Sequence, residues 1–557
     1  MSRSCALAIA VLAVGCTELA GPVVEVEAGP APDYADVFVP SPDPETRPRL
    51  SPREHLIRLS LDLRGVRPTI AEYERLEAAI DPEAERAVLE ELADEMVMDP
   101  RFAERVKDLW ASIVRTRVED FPITASSLGL EPDLQSELAE SLGEEPLELL
   151  AELTREDRPL TGLVLADYTL ANELLLRVHP VVRTAPARAD GWSRATYTDG
   201  RPMAGWLTMN GLWLRYLSDG VSYGRGRANA VARLFLCADF LDRPIDFPRD
   251  FDLTDEEAIR EAVRTNDGCI GCHASLDPLA SHLAGFQYTD KTPSELLRYH
   301  PERERLWPRL TGLAPGFYGR PGYALTDLAH HIASDPRYVE CLVERGFSLL
   351  LGRPVDHADP RELDALTLHR ERLIAGGLTM RVLARSIVAD PRYALADHTK
   401  LVPPEMWSDV LFDLTGYRMS RDGRDLFATD TSGLRSLAGG GDGRSGSAPA
   451  TTPTATMVLA WERSAEAAAD HAVRNPASLF VELDPSVVPD AALEGQLLAQ
   501  IAHLHRRLFG TRPAIDSLEI QESRKLWDRL LAIERRPERA WVGLLTALLR
   551  DPTMVTY

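Results

Sequence analysis

From Ser51 onward the apolar residues of this chain recur every three or four positions rather than every two, which places them along one side of an α-helix. Leu56, Leu59, Leu61 and Leu63 lie in a first helix that Gly65 and Pro68 interrupt. Tyr73, Leu76 and Ile80 mark a second, and a third passes through Ala87, Leu89, Leu92 and Met96 to Asp99-Pro100-Arg101-Phe102. The same layout returns twice. Leu351-Gly352-Arg353-Pro354 leads to Asp390-Pro391-Arg392-Tyr393, and Phe509-Gly510-Thr511-Arg512-Pro513 leads to Asp551-Pro552-Thr553-Met554. Each copy is a hydrophobic helix, a Gly and Arg-Pro turn, and two more helices closed by Asp-Pro. The Arg and Asp residues are expected to cap helices and bridge turns. Because the copies are far apart and separated by unlike sequence, they predict a recurrent three-helix unit, not a solenoid.

Between the first copy and the second, residues 158–175 read as helical throughout, and a later helix passes Leu234 to reach Cys237. Residues 399–495 are mixed and loop-rich: a Gly/Ser stretch (437–446) precedes a helix through Val458 and Ala468. That stretch lacks the Gly-Lys-Ser/Thr ending of a phosphate-binding loop and reads as a flexible loop. With few alternating β-branched runs, the expected fold is mainly α: several helical subdomains, the recurring three-helix unit, and a cytochrome c-like haem-binding segment in the middle.

Composition narrows the partners. A formal charge of -24 would repel the phosphates of nucleic acid and oppose electrostatic adhesion to anionic lipid, so a protein partner should offer a basic face. An apolar content of 45% over 557 residues fills more than one core and points to three or four domains. The start of the chain stands apart. Arg3 gives a short basic region, Ala6 to Val14 an apolar run too short to span a bilayer, and Ala13-Val14-Gly15-Cys16 a small-residue cleavage site. This resembles a bacterial lipoprotein signal peptide, although Ala13 stands where Leu is more usual. It would leave Cys16 as the lipid-bearing first residue. An ordinary secretory peptide cleaved nearby is the other reading. Either takes the protein out of the cytoplasm and into the bacterial cell envelope, facing periplasm or exterior. Residues 17–49 are rich in Pro and acidic side chains and would hold the body off the membrane as a tether.

The sharpest chemical signal is Cys269-Ile270-Gly271-Cys272-His273. Two thiols separated by two residues can each bond one vinyl group of a porphyrin, and the adjoining His then sits beneath the iron as its proximal ligand. A structural zinc site would need two further Cys or His ligands at tight spacing, and none lies nearby. One covalent haem c is therefore the expected cofactor. Of 6 Cys, Cys5 goes with the signal, Cys16 takes lipid, and Cys269 and Cys272 take haem. Cys237 and Cys341 remain, to pair as a disulfide outside the cytosol or to stay as two buried free thiols.

The chain divides accordingly into a signal peptide (1–15), a tether (16–49), a first helical unit (50–118), a helical domain before the haem motif (119–250), a haem c-binding segment (251–300), a second helical unit (301–398), the loop-rich region (399–495) and a third helical unit (496–557). Several stretches recur in a known order: Leu-x-Asp-Tyr-Thr-x-x-Asn-Glu-Leu (Leu165 to Leu174), a Gly-x-Leu-Thr stretch at Gly205, an Arg-Gly helix ending in Cys237, and Cys-x-x-Cys-His-x-x-x-Asp-Pro. From about Ser51 to Asp397 this order resembles the families of unknown function associated with planctomycete cytochrome c proteins. The resemblance implies a cell-envelope protein with c-type haem and no settled reaction. Where relatives often carry Met-Asp-Pro after the haem His, this chain has Leu276-Asp277-Pro278.

The sixth iron position decides between electron transfer and small-molecule chemistry. His282, nine residues beyond His273, falls on the opposite helical face with Pro278 between, and Met380 reads as core filler. Met209 and Met203 are the candidate distal ligands, and Trp206 and Trp213, seven apart on one helical face, are candidate porphyrin walls; core packing is the competing role of all four. Gly220-Val221-Ser222-Tyr223-Gly224 matches a nucleophile elbow but lacks a preceding strand, so it reads as a turn into the helix reaching Cys237. The function expected is single-electron transfer by a lipid-anchored monohaem protein that docks a redox partner, an electron carrier more than a catalyst. The alternatives are a peroxidase- or oxygenase-type haem enzyme with an open sixth position, and an envelope scaffold or binding protein in which haem is structural.

Overall fold

Most helices form where the apolar spacing predicts them, although Ile80 lies beyond the second helix and is exposed, and glycine ends the leading helix of each recurrent unit. The computed structural model describes residues 46–218, 223–242, 255–430, 433–444 and 448–557. Residues 1–15, read above as a signal peptide, Cys16, and nearly all of the stretch read as a tether lie outside the described residues. The first unit is α1 (Pro52–Arg64), α2 (Ile70–Glu77) and α3 (Pro82–Met98). Ser51 and Thr69 cap α1 and α2 through reciprocal bonds with Glu54 and Glu72. Next come α4 (Arg101–Val114) and the long α5 (Gln135–Arg155), packed on each other.

After α6 (Gly162–Leu165) the helical expectation for 158–175 fails. Thr169–Ala171 is a strand, β1, followed by α7 (Glu173–Val178), β2 (Val181–Arg183) and β3 (Ser193–Tyr197). The three strands form an antiparallel sheet in the order β1-β3-β2, with Thr169 opposite Ala195 and Val181 opposite Tyr197. The cause is tertiary. Buried Glu145 of α5 accepts hydrogen bonds from the Thr169 hydroxyl (2.8 Å), the Tyr197 hydroxyl (2.7 Å) and the Gly211 amide (2.8 Å), which fastens the sheet to α5.

The chain continues through α8 (Asn210–Arg215), α9 (Arg225–Leu236), α10 (Glu256–Thr265), α11 (Asp267–Ser281), α12 (Pro293–Leu296), α13 (Trp307–Leu310), a two-stranded hairpin of β4 (Gly316–Phe317) and β5 (Arg320–Pro321), and α14 (Leu325–Ala333). The second unit is α15 (Pro336–Leu351), α16 (Pro360–Ala375) and α17 (Met380–Val388). Then come α18 (Pro404–Thr415), the hairpin β6 (Ser420–Arg421) and β7 (Arg424–Asp425), and α19 (Ala455–Arg474). The third unit is α20 (Glu494–Phe509), α21 (Leu518–Glu534) and α22 (Pro537–Leu549), closed by α23 (Pro552–Val555). In the Gly-rich loop, the Gly443 carbonyl accepts from Arg215 at 2.6 Å, which ties that segment to the body.

The three units share their punctuation. α1, α15 and α20 end on Gly65, Gly352 and Gly510, with φ of 72°, 73° and 67°, a left-handed conformation that costs glycine nothing. Asp99, Asp390 and Asp551 each accept the amide of the residue two positions on, at 2.9, 2.8 and 2.9 Å. Of the three, Asp551 caps a helix, α23, while Asp390 closes a turn and Asp99 bonds the first residue of α4 from just ahead of its N-cap, Pro100. The units also converge. Asp62 of α1 accepts the hydroxyls of Tyr393 (2.8 Å) and Tyr557 (2.9 Å) and ion-pairs with Lys400, whose ammonium burial pushes down to about 8. Arg58 donates to the carbonyls of Tyr393 and Leu395, both at 2.9 Å.

Contact between α8 and α5 depends on a glycine. A Cβ built on Gly211 would lie 2.0 Å from the Leu142 carbonyl oxygen, whereas one on Gly495, in the first turn of α20, meets nothing within 4 Å. Gly211→Ala must push two backbones apart and should cost about 2 kcal/mol or more. Gly495→Ala should gain ~0.5 kcal/mol by removing backbone freedom from the unfolded chain. Urea unfolding of the two variants checks the contrast, and equal midpoints would refute it.

Candidate functional site

Helix α11 carries the Cys-x-x-Cys-His motif. Asn266 starts it by accepting the amides of Gly268 (2.9 Å) and Cys269 (3.3 Å), and Leu276, Leu279 and Ala280 bury its inner side. It packs against α9, α10 and β4. The break expected at Pro278 does not occur; the helix runs through it to Ser281. Helical spacing of three and four puts Cys269, Cys272 and His273 on one side. Both thiols are free and half-buried.

His273 is already held by one nitrogen. Its Nδ1 lies 2.9 Å from Asp277 Oδ1, one turn along the helix. Asp277 in turn receives a two-pronged grip from Arg225, Nε to Oδ1 at 2.7 Å and Nη2 to Oδ2 at 2.9 Å. The Asp277 side chain is 2% exposed and that of His273 23%. Burial alone would raise the Asp277 carboxyl, but the bonds from Arg225 and His273 outweigh it and hold it below its usual value. Among the described residues, His273 Nε2 has no hydrogen-bond partner. Two free thiols and a histidine with one nitrogen engaged and the other uncommitted are the donor set that one covalent haem requires.

Arg225 opens α9 directly after Tyr223 and Gly224, both at positive φ (51° and 80°). A Cβ on Gly224 would meet Gln287 Nε2 at 3.0 Å and the Ala280 carbonyl oxygen at 3.5 Å, so glycine allows α9 to start close against the end of α11. At its other end α9 is capped by Cys237, which is disulfide-bonded to Cys341 of α15 with the Cα atoms 5.2 Å apart. The pairing left open by counting cysteines is thus made. Of the nucleophile-elbow match, Gly220 to Ser222 lie outside the described residues, and what precedes them is the helix α8, not a strand.

The other candidates are placed as follows. Trp206 stands in a 3-10 turn (Gly205–Thr208) and Trp213 in α8, so they share no single helix. Each is buried, Trp206 Nε1 donating to the Pro146 carbonyl and Trp213 Nε1 to the Leu207 carbonyl, both at 2.7 Å. Core packing accounts for both. Met209 is wholly buried just ahead of α8, which packs on α5, and Met203 is half-buried in the preceding loop. Met380 is buried at the start of α17. His282, at the end of α11, bonds the Ala324 carbonyl through Nδ1 at 3.0 Å.

Sequence reasoning missed the roles of Asp277 and Arg225. An Asp four residues after a His on a helix is a readable signal; nothing in the sequence marks Arg225, 52 positions away. Also unforeseen is a cavity of about 910 Å³ between α4, α5 and α18, whose charged lining includes Lys107, Asp108, Arg117, Glu144 and Asp409. Among the described residues, no three His, Cys, Asp or Glu side chains are placed to hold a metal ion, and no helix is long and apolar enough to cross a membrane.

No curated protein and no solved structure matches the chain. Residues 50–179, from α1 through α7 and entirely ahead of the Cys-x-x-Cys-His helix, match the family described as PSD4, Protein of unknown function (DUF1592).

Proposed function

We propose that this protein is an extracytoplasmic, lipid-anchored monohaem c-type protein that carries single electrons in the bacterial cell envelope. The observation that carries the reading is the single face of α11, where two free thiols stand beside a histidine whose Nε2, among the described residues, is uncommitted. Each Cys269 and Cys272 S–H would add across one porphyrin vinyl group, forming a thioether without any oxidant, and His273 Nε2 would be the proximal iron ligand. Bound there, the haem supplies a one-electron couple. The protein fixes its edge, excludes water and sets its potential through burial and the distal ligand, for which Met209 and Met203 are the candidates. An electron enters from one protein partner and leaves to another, and the charge of -24 suits partners with a basic docking face. Anchoring rests on Cys16.

The contact between His273 and Asp277 favours a second reading, a haem enzyme with an open sixth position, because a carboxylate on the proximal histidine strengthens its donation to iron. Rapid carbon monoxide binding by the reduced protein at neutral pH would select it.

The deciding experiment is a pyridine haemochrome spectrum with an intact mass, on full-length protein exported alongside a haem-attachment apparatus. The expected result is a c-type spectrum and a mass exceeding the processed, lipidated polypeptide by one haem, with covalent attachment lost in the double variant Cys269→Ala and Cys272→Ala. Colourless protein at the bare polypeptide mass would overturn the proposal.

A further inference from the structure

Hydrogen bonding to the far nitrogen of a metal-binding histidine fixes its tautomer and ring orientation and raises its basicity. Three groups in this chain are arranged for that. His273 Nδ1 and Asp277 Oδ1 are 2.9 Å apart on adjacent turns of α11, so the contact is built into the helix. Asp277, 2% exposed, cannot turn to solvent, and Arg225 engages both of its oxygens at 2.7 and 2.9 Å. Arg225 is itself fixed, because α9 begins at a glycine turn pressed against α11 and ends at the Cys237–Cys341 disulfide. A solvent-exposed His–Asp pair would be worth little and would select no tautomer. A buried carboxylate clamped by a guanidinium, with its Oδ1 shared between two donors, holds its place and selects the tautomer.

We propose that Asp277, held by Arg225, is a positioning residue for His273: it accepts a hydrogen bond from Nδ1–H, leaves Nε2 as the ligand nitrogen, and lowers the reduction potential of a haem bound through the cysteine pair. This deepens the electron-carrier reading and rests on it for the potential; the tautomer does not depend on haem. The carboxylate places negative charge behind the imidazole, which stabilises the ferric state relative to the ferrous one. Arg225 offsets part of that charge, so the pair sets a graded potential as well as a geometry.

The test uses the full chain with Asp277→Asn, Asp277→Glu and Arg225→Lys. In haem-free protein, nitrogen-15 NMR of the histidine rings should find the His273 proton on Nδ1 in the parent and in Asp277→Glu, and displaced toward Nε2 in Asp277→Asn. In haem-loaded protein, Asp277→Asn should raise the midpoint potential and lower the iron–histidine stretching frequency, with Asp277→Glu restoring both toward the parent values. Arg225→Lys loses the fork but keeps the charge, and should shift the potential less than Asp277→Asn. Circular dichroism and thermal melts separate these effects from loss of fold, and if Asp277→Asn does not fold, Arg225→Lys and the parent tautomer carry the decision. An unchanged tautomer with unchanged potential in folded variants would overturn the inference. Parent protein that takes up no haem would instead overturn the electron-carrier reading and the potential with it, leaving the positioning of His273 to the tautomer alone.

Discussion

Removing the Cys237–Cys341 bridge, by Cys237→Ser with Cys341→Ser or by reductant, is expected to destabilise the region from α9 to α15 by about 4 kcal/mol. The bond closes a loop with a sequence separation of 104 residues. Cross-linking a loop of about 100 residues removes roughly 4.7 kcal/mol of chain entropy from the unfolded state, an upper figure because real unfolded chains retain some structure. Cys341 is 2% exposed, so the reduced pair would also leave two thiols at the join of α9 and α15. Since α9 delivers Arg225 to Asp277, the loss should spread to the motif helix: hydrogen exchange in α9 and α11 should quicken on reduction while α20 to α22 keep their protection. The measurement is urea unfolding with and without reductant, followed by exchange mapped along the chain. Superimposable unfolding curves would sink the expectation.

Acid should begin to destabilise this protein below about pH 6.5, the ordinary histidine value. His179 and His282 are 6% and 4% exposed, and in each the Nε2 atom is enclosed with no hydrogen-bond partner. Burial pushes the His179 imidazole down to about 3, helped by the charge of Arg201, and pushes His282 down to about 4 against the opposing pull of the Ala324 carbonyl and Asp327. There is no room to hydrate the second ring. A Cβ on Gly322 would already lie 2.4 Å from His282 Cε1. The unfolded chain takes up these protons near the ordinary histidine value of about 6.5, while the folded chain refuses them until pH 4 or below. The folded values are depressed, so stability is full above about 6.5 and is lost as pH falls below it. Each histidine contributes a slope of about 1.4 kcal/mol per pH unit, nearly 3 kcal/mol for the two together. Between pH 6.5 and 5 urea midpoints should fall steeply, with His55 and His398, both pushed down to about 4 by burial, adding to the slope, and His282→Gln should remove one histidine's share of it, about 1.4 kcal/mol per pH unit. A midpoint that does not move over this window would refute the assignment.

Much of the architecture is written locally. The three-and-four spacing through Leu56, Leu59 and Leu63 recurs in α1, and the glycines at 65, 352 and 510 end their helices where a left-handed residue is needed. Both signals act over a turn or two of chain, so they survive in any context. The cysteine motif is local in the same way: three and four residues of helix suffice to put Cys269, Cys272 and His273 on one side.

Failures came where a distant partner outweighs a local preference. Residues 169–171 lie in an apolar run that reads as helix, yet they pair with 193–195 and fasten through Thr169 to Glu145, because a buried carboxylate on α5 must find donors. Trp206 and Trp213 have helical spacing but stand in separate turns, since the chain bends between them to reach the carbonyls of Pro146 and Leu207.

The sequence by itself determined a helical protein built on a repeated three-helix unit, and one helix that gathers two thiols and an imidazole. Only the tertiary structure decided that Cys237 meets Cys341, that Arg225 clamps Asp277 behind His273, and that Asp62 receives tyrosines from the other two units and Lys400 from the stretch between them. Helix formation depends on neighbours a few residues away, whereas buried charges are satisfied by whichever partner packing brings near, and no local pattern encodes that choice.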